Sequence, residues 1–143
     1  MNQKAIRGLL LSLVVFDLLL VVWAFGFPRW WFVVFHGVQT VDDQSIALLQ
    51  RCGANWFGFL IIQVVAYLKW REWPWLLVLV AGARLGDAFT DTTCLLVSPS
   101  RALLGILGFP LAGVGNIAAG LFLIRSYVSS LTSGGTLTQG DGS

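Results

Sequence analysis

The sequence predicts an all-α integral membrane protein, a four-helix bundle in which each helix crosses the bilayer. Of the 143 residues, 57% are hydrophobic and 11% are charged, whereas soluble domains carry about 25% charged residues. The mean hydropathy is +0.80, so most of the protein surface requires an apolar solvent. Four stretches reach about 20 predominantly apolar residues, the length that crosses a hydrocarbon core ~30 Å thick.

The predicted spans follow one another with short connections. They cover residues 6–27, 48–68, 73–97 and 102–124. The first ends before Pro28, which cannot continue a helical hydrogen-bond ladder, and the third tolerates Pro74 in its first turn. Residues 29–43 include an apolar segment too short to span, which we expect to lie at the interface or fold back on the bundle. Residues 1–128 therefore form one transmembrane domain, and the Gly-, Ser- and Thr-rich residues 129–143 form a flexible tail.

The positions of lysine and arginine predict the orientation, because cytoplasmic loops of membrane proteins are enriched in these residues. With the N-terminus inside, five cations are cytoplasmic and three are outside, which favours an N-in, C-in topology. The cytoplasmic set is Lys4, Arg7, Lys69, Arg71 and Arg125, and the outer set is Arg29, Arg51 and Arg101.

Charged residues inside the predicted spans are the most informative feature. Arg84, Asp87 and Asp91 share one helical face because they are spaced i, i+3, i+7. At 1.5 Å of rise per residue, Asp17 and Arg84 both lie near the membrane midplane. We expect them to pair, because an isolated charge there costs at least ~2.5–3.5 kcal/mol. The predicted intramembrane polar network is Asp17, Gln63, Arg84, Asp87, Asp91 and Asn116.

Two interpretations of this network remain open. It is either a structural network that fixes how the helices pack, or the lining of a path for protons, ions or a small molecule. Three carboxyl groups share a single arginine, so we expect Asp91 to reach towards Arg51 or Arg101. Asp87 then lacks a second partner and becomes the candidate proton-binding residue.

Other candidate residues lie towards the outer ends of the spans. Arg51 and Asn55 are outer-side polar residues at i, i+4 spacing on the second span. Cys52 and Cys94 lie near neighbouring outer ends and are a candidate disulfide pair, with two buried, unbridged thiols as the alternative. His36 is the only histidine, and we expect an interfacial polar residue there, with haem or chlorophyll ligation as the less favoured alternative.

Small residues recur at helical spacing on the last two predicted spans. We expect this face of the fourth span to pack closely against the bundle or to dock another subunit, because small residues let helix backbones approach each other in lipid. Pro110 predicts a kink in the same helix. The small residues are Gly82 and Gly86 on the third span, and Gly105, Gly108, Ala112, Gly115 and Ala119 on the fourth.

The sequence contains no G-x-S-x-G motif, P-loop or dinucleotide fingerprint, so it does not predict an enzyme. A net charge of +2 does not predict nucleic-acid binding, and two cysteines without a histidine cluster do not predict a metal site.

The favoured function is a non-catalytic accessory or interaction subunit, whose partners are the bilayer and other membrane subunits or a second copy. The alternative is a small transporter or proton-conducting protein that uses the Asp/Arg network.

The layout resembles that of small bacterial four-helix membrane proteins such as the DoxX-like group. The likeness lies in chain size, in span count and in Arg51-Cys52-Gly53 at the opening of the second span. It implies a multi-pass protein of a bacterial plasma membrane, and no residue role is transferred from it.

Overall fold

The computed structural model describes residues 2–97 and 100–134, and the regular secondary structure of this part is all helical, without strands. Helix α1 is followed by a short helix α2, a π-helix and three further long helices. The bounds are α1 Gln3–Gly26, α2 Pro28–Trp31, the π-helix Phe32–His36, α3 Asp43–Lys69, α4 Leu76–Val97 and α5 Leu103–Gly134. The all-α prediction is confirmed.

Three of these helices, α1, α3 and α5, are long and apolar enough to cross a membrane. Helix α4 has 22 residues but is not among the three, because Arg84, Asp87 and Asp91 all lie in its middle. The described residues thus hold three candidate membrane spans, where the sequence analysis counted four.

The helix bounds differ from the predicted spans at three places. Helix α3 begins earlier, because the Asp42 carboxylate accepts a hydrogen bond of 2.6 Å from the Ser45 N–H and caps its first turn. The same Ser45 N–H holds the pKa of Asp42 below its ordinary value. Helix α4 begins at Leu76 rather than at residue 73, since a turn follows α3. Helix α5 continues to Gly134, so residues 129–134 are not the start of a tail, and residues 135–143 lie outside the described residues.

The four long helices form a ring in which neighbours pack side by side. Helix α1 packs on α3, α3 on α4 and α4 on α5, whereas α5 and α1 touch only sparsely. Helices α1 and α4 lie across the ring from each other. The half of the bundle nearest the start of α1 is closed by a hydrophobic core of Ile6, Leu10, Leu13, Ala66, Trp70, Leu76, Leu77, Val80, Ala81 and Leu123.

Helix α2 and the π-helix fold back over the opposite end of the bundle. Trp31 is buried there, and its ring lies 6.3 Å from that of Trp23 and 5.4 Å from that of Trp56. Gly37 ends the π-helix with a φ of +70°, a conformation that favours glycine. This back-folding is one of the two arrangements expected for the segment.

The folded-back segment is tied to the start of α5. The Ser100 hydroxyl donates to the Phe35 carbonyl, and the Arg101 N–H donates to the His36 carbonyl at 3.3 Å. A side chain at Gly105 would collide with the Phe35 carbonyl, so glycine is needed at that contact. These two hydrogen bonds and the close contact at Gly105 thus hold the folded-back segment against the start of α5.

Only part of the predicted small-residue face of α5 packs on α4. A Cβ at Gly120 would lie 2.9 Å from the Leu85 side chain and 3.3 Å from the Ala81 carbonyl. Gly115 instead is exposed and has nothing within 4 Å of its Cβ position. Gly115 therefore does not pack against the bundle, because the buried face runs through Asn116 and Gly120. The other expectation, that this face docks another subunit, stays a prediction.

Candidate functional site

Asp17 of α1 and Arg84 of α4 form a two-pronged ion pair. Arg84 Nη1 donates to Asp17 Oδ1 at 3.1 Å, and Arg84 Nη2 donates to Asp17 Oδ2 at 2.7 Å. Both side chains are fully buried. The predicted pairing of these residues is confirmed, and the fork geometry adds directional specificity to the Coulomb attraction.

Gln63 of α3 completes the buried side of the network. Its Nε2 donates to Asp17 Oδ2 at 2.6 Å, and the ring of Phe59, one turn away on the same helix, lies 5.7 Å from Arg84 Cζ. Two buried polar atoms, Gln63 Oε1 and Arg84 Nε, have no protein partner among the described residues. Asp17, Gln63 and Arg84 thus form a buried junction between α1, α3 and α4.

Asp87 is also within reach of Arg84. Its Oδ2 lies 3.1 Å from Arg84 Nη2, the same nitrogen that bonds Asp17. Asp87 was expected to have no second partner, and Arg84, its neighbour at i, i+3 on the same helix, is the cation that it contacts. A single guanidinium nitrogen is therefore shared between two carboxylates.

Asp91 is held differently. It does not pair with Arg51 or Arg101, and within residues 2–97 and 100–134 no ion pair reaches it. Asn116 of α5 links it to the network instead, since Asn116 Nδ2 donates to Asp91 Oδ2 at 3.4 Å and Asn116 Oδ1 accepts from Arg84 Nη1 at 3.4 Å. All six predicted network residues are thus brought together, with Asp91 at the end farthest from the guanidinium along this chain of contacts.

Beside the network lies a cavity of about 460 Å³, here called the chamber. Aromatic and aliphatic side chains make up most of its wall, and Asp87, Asp91 and Asn116 supply its polar side. Asp17, Gln63 and Arg84 do not line it. The lining residues are Phe16, Leu19, Leu20, Trp23, Trp31, Phe35, Trp56, Asp87, Asp91, Gly108, Phe109, Leu111, Ala112 and Asn116.

The chamber is not evident from the sequence. Its aromatic wall is scattered over α1, the folded-back segment, α3 and α5, and consists of Phe16, Trp23, Trp31, Phe35, Trp56 and Phe109. Tryptophan is common at membrane interfaces, so its abundance alone did not indicate a binding site. The signal present in the sequence was the aromatic segment 30–35, which is itself too short to span.

The outer-side candidates do not join the site. Arg51 and Asn55 are exposed, with no side-chain hydrogen bond or ion pair in the described part of the chain. Cys52 and Cys94 are free and exposed. In this structure the two thiols are not bridged, and because both residues are exposed they are not the two buried thiols of the alternative.

His36 lies at the opposite end from the N-terminus, between the rings of Phe32 and Phe109 at 5.6 and 5.4 Å. Partial burial lowers the pKa of its imidazole below the ordinary value. It borders a shallow groove of about 740 Å³ together with Arg101. Among the described residues, no group of three or more His, Cys, Asp or Glu side chains could hold a metal ion.

Comparisons with protein-family models, with curated proteins and with solved structures give no match. The resemblance to the DoxX-like group therefore rests on layout alone.

Proposed function

We propose that this chain is a multi-pass membrane protein with four crossing helices in an N-in, C-in arrangement, and that it binds a small, largely apolar molecule in the chamber. Three apolar helices support a membrane protein. The fourth crossing, by α4, is supported by the partners of Arg84, which come from α1 and α5 as well as from α4 itself. Paired in this way, the charges of α4 cost less in lipid than isolated ones.

The observation that carries the binding function is the chamber itself. Its volume of about 460 Å³ falls within the range of about 300–1,000 Å³ that is typical of small-molecule sites. It also has their usual composition, an apolar and aromatic wall with a few polar groups on one side. Packing alone does not require the two carboxyl groups, those of Asp87 and Asp91, that line the chamber.

The chamber is accessible from the side of the bundle rather than from its ends. It lies at the seam where α1 and α5 touch only sparsely. Phe16, Leu19 and Leu111 border this seam, and between 44% and 70% of each is exposed. Apolar side chains with that exposure face acyl chains in a bilayer, so the ligand is expected to enter from the membrane.

The two halves of the polar network support different roles. Asp17, Gln63 and Arg84 are fully buried and mutually bonded, which supports a structural role. Asp87 and Asp91 face the chamber, which supports a role in ligand binding. This division favours the small-transporter class over a purely structural subunit.

Two glycine variants on one helix test the binding function. Gly108 lines the chamber and Gly115 faces outwards, and a Cβ at either position meets nothing within 4 Å. Gly108→Leu should therefore place a side chain at the chamber wall and narrow the chamber, whereas Gly115→Leu adds the same side chain to the exposed surface. The protein in lipid nanodiscs is labelled with a neutral aryl-diazirine photoprobe, and the labelled residues are mapped by mass spectrometry.

We expect Gly108→Leu to lose labelling at the chamber residues Trp23 and Phe109 and to keep labelling on the outer surface. Gly115→Leu should label like the unaltered protein at both places. Equal chamber labelling in all three proteins would contradict the binding function.

A role as an accessory subunit remains the second candidate, favoured by one observation. Gly82 and Gly86 lie on an exposed face of α4 with nothing within 4 Å of their Cβ positions. A close helix partner fits such a face. Gly82→Leu should then lower the fraction of associated chains seen by single-molecule photobleaching in nanodiscs, while Gly115→Leu should not. A monomeric protein, or an unchanged fraction, would contradict this role for self-association.

A further inference from the structure

We propose that the ligand of the chamber is an amphiphilic organic cation, an ammonium-type group carried on an aromatic or alkyl body, and that Asp91 and Asp87 receive its charge. This inference rests on the binding function proposed above and names the ligand class for the same site.

The charges around the chamber are unequal. Three carboxyl groups belong to the network, but its one guanidinium, that of Arg84, pairs only with Asp17 and Asp87, and Asp91 is bonded to Asn116 instead. Arg84 uses both terminal nitrogens on Asp17 and only one of them on Asp87. Asp17 therefore takes most of the positive charge, and the two carboxyl groups on the chamber wall are left undercompensated.

Asp91 is the carboxyl group most in need of a cation. Within the described residues it accepts one hydrogen bond, a long one of 3.4 Å from the neutral amide of Asn116. A buried or lipid-facing carboxylate without a cation is costly, and the cost falls when a positive charge comes into contact with it. A cationic ligand supplies this charge, whereas an anionic ligand would be repelled and a neutral one would leave the carboxylate unpaired.

The aromatic wall fits the same ligand class. Trp31 packs against Phe35 with a ring separation of 4.5 Å and against Trp56 at 5.4 Å, and all three rings line the chamber. The faces of such rings attract cations, tryptophan most strongly. Their apolar area also packs against the hydrocarbon part of an amphiphilic ligand. Acidic and aromatic groups from different helices thus face the same chamber.

The test uses two probes of the same shape and opposite charge, tetraphenylphosphonium and tetraphenylborate. Each is added to the protein in nanodiscs as a competitor of the neutral aryl-diazirine photoprobe. The two are compared at equal amounts dissolved in the bilayer, because they partition differently into lipid. Protection of Trp23 and Phe109 from labelling reports occupation of the chamber.

We expect tetraphenylphosphonium to protect the chamber and tetraphenylborate to fail. The variant Asp91→Asn, which keeps the size of the side chain, should weaken protection by the phosphonium about tenfold, or about 1.4 kcal/mol. Asp43→Asn, at the exposed start of α3, is the matched control and should behave like the unaltered protein. Labelling by the neutral photoprobe without competitor shows that the chamber of each variant is intact.

The outcomes separate the two proposals. Equal protection by both ions, unchanged protection in Asp91→Asn, or normal chamber labelling that no ion reduces would overturn the cation inference while the binding function stands. Failure of the photoprobe itself to label the chamber, or chamber labelling that Gly108→Leu does not alter, would overturn the binding function as well.

Discussion

The guanidinium of Arg84 reaches across the bundle to the carboxylate of Asp17, with 2.7 Å between Nη2 and Oδ2. Their helices, α4 and α1, are not neighbours in the ring, so this contact crosses its interior rather than a helix–helix seam. The pair therefore joins α1 to α4, two helices that do not pack on each other directly, and it adds to the packing of α3 on α4 that already links the two halves.

Removing one charge of this pair should destabilise the fold strongly. Asp17→Asn leaves Arg84 buried with fewer compensating charges, and breaking a buried pair costs about 3–5 kcal/mol. The free energy of unfolding in detergent measures the effect. Glu72→Gln is the control, because Glu72 pairs with Lys69 on the surface and exposed pairs contribute only about 0–1 kcal/mol. Similar losses in both variants would contradict the interior role of the pair.

Replacing both partners together should cost less than the sum of the single changes. In Asp17→Asn combined with Arg84→Met, neither unpaired charge of the broken pair remains in the interior. Residues in direct contact usually show coupling of about 0.5–3 kcal/mol in such cycles. The four unfolding free energies of the cycle give the coupling, and purely additive losses would show that the pair is not the source of the stabilisation.

The contact between α4 and α5 should depend on Gly120 and not on Gly115. A valine at position 120 would press on the Leu85 side chain and the Ala81 carbonyl, and overpacking costs about 1–3 kcal/mol. Gly115→Val places the same side chain in open space. Thermal unfolding of the two variants compares them directly, and a greater loss for Gly115→Val would place the packing face of α5 elsewhere.

Both cysteines should react as free thiols. Cys52 and Cys94 are exposed and unbridged, so N-ethylmaleimide should add twice to protein denatured without reductant. Intact-mass spectrometry counts the additions, and a reduced sample is the control. Modification that appears only after reduction would show that a bridge forms in the membrane.

The N-in, C-in arrangement can be read from two engineered cysteines. In a Cys52→Ser, Cys94→Ser background, Gln39→Cys lies in the connection between the π-helix and α3, and Glu72→Cys lies in the turn before α4; both positions are exposed. A membrane-impermeant maleimide added to intact cells should label position 39 and should label position 72 only after permeabilisation. Labelling of both positions in intact cells would rule out this topology.

Depth and helical spacing were sufficient to predict the pairing of Asp17 with Arg84 and the gathering of Gln63 and Asn116 around it. They were not sufficient to predict which network residues are fully buried and which face the chamber. That distinction depends on how α4 is rotated about its own axis. The same limit explains why the exposure of Gly115 was not predicted. A repeat of small residues indicates several possible packing faces, and the position of the neighbouring helix determines which of them is buried. The chamber depends on the fold of residues 28–36 over the bundle end, which no periodicity specifies.

Because of its charged residues, α4 is not among the helices that are apolar enough to span a membrane. The same charges affect how the helix is inserted. An arginine at a helix centre raises the insertion free energy by about 2.5–3.5 kcal/mol. Synthesis proceeds from the N-terminus, so Asp17 and Gln63 precede α4 into the bilayer in the proposed arrangement. Arg84 then arrives where its counter-charge is already present, while Asn116 follows later. In that arrangement we expect the insertion of α4 to depend on α1, and a chain without α1 to insert α4 less efficiently.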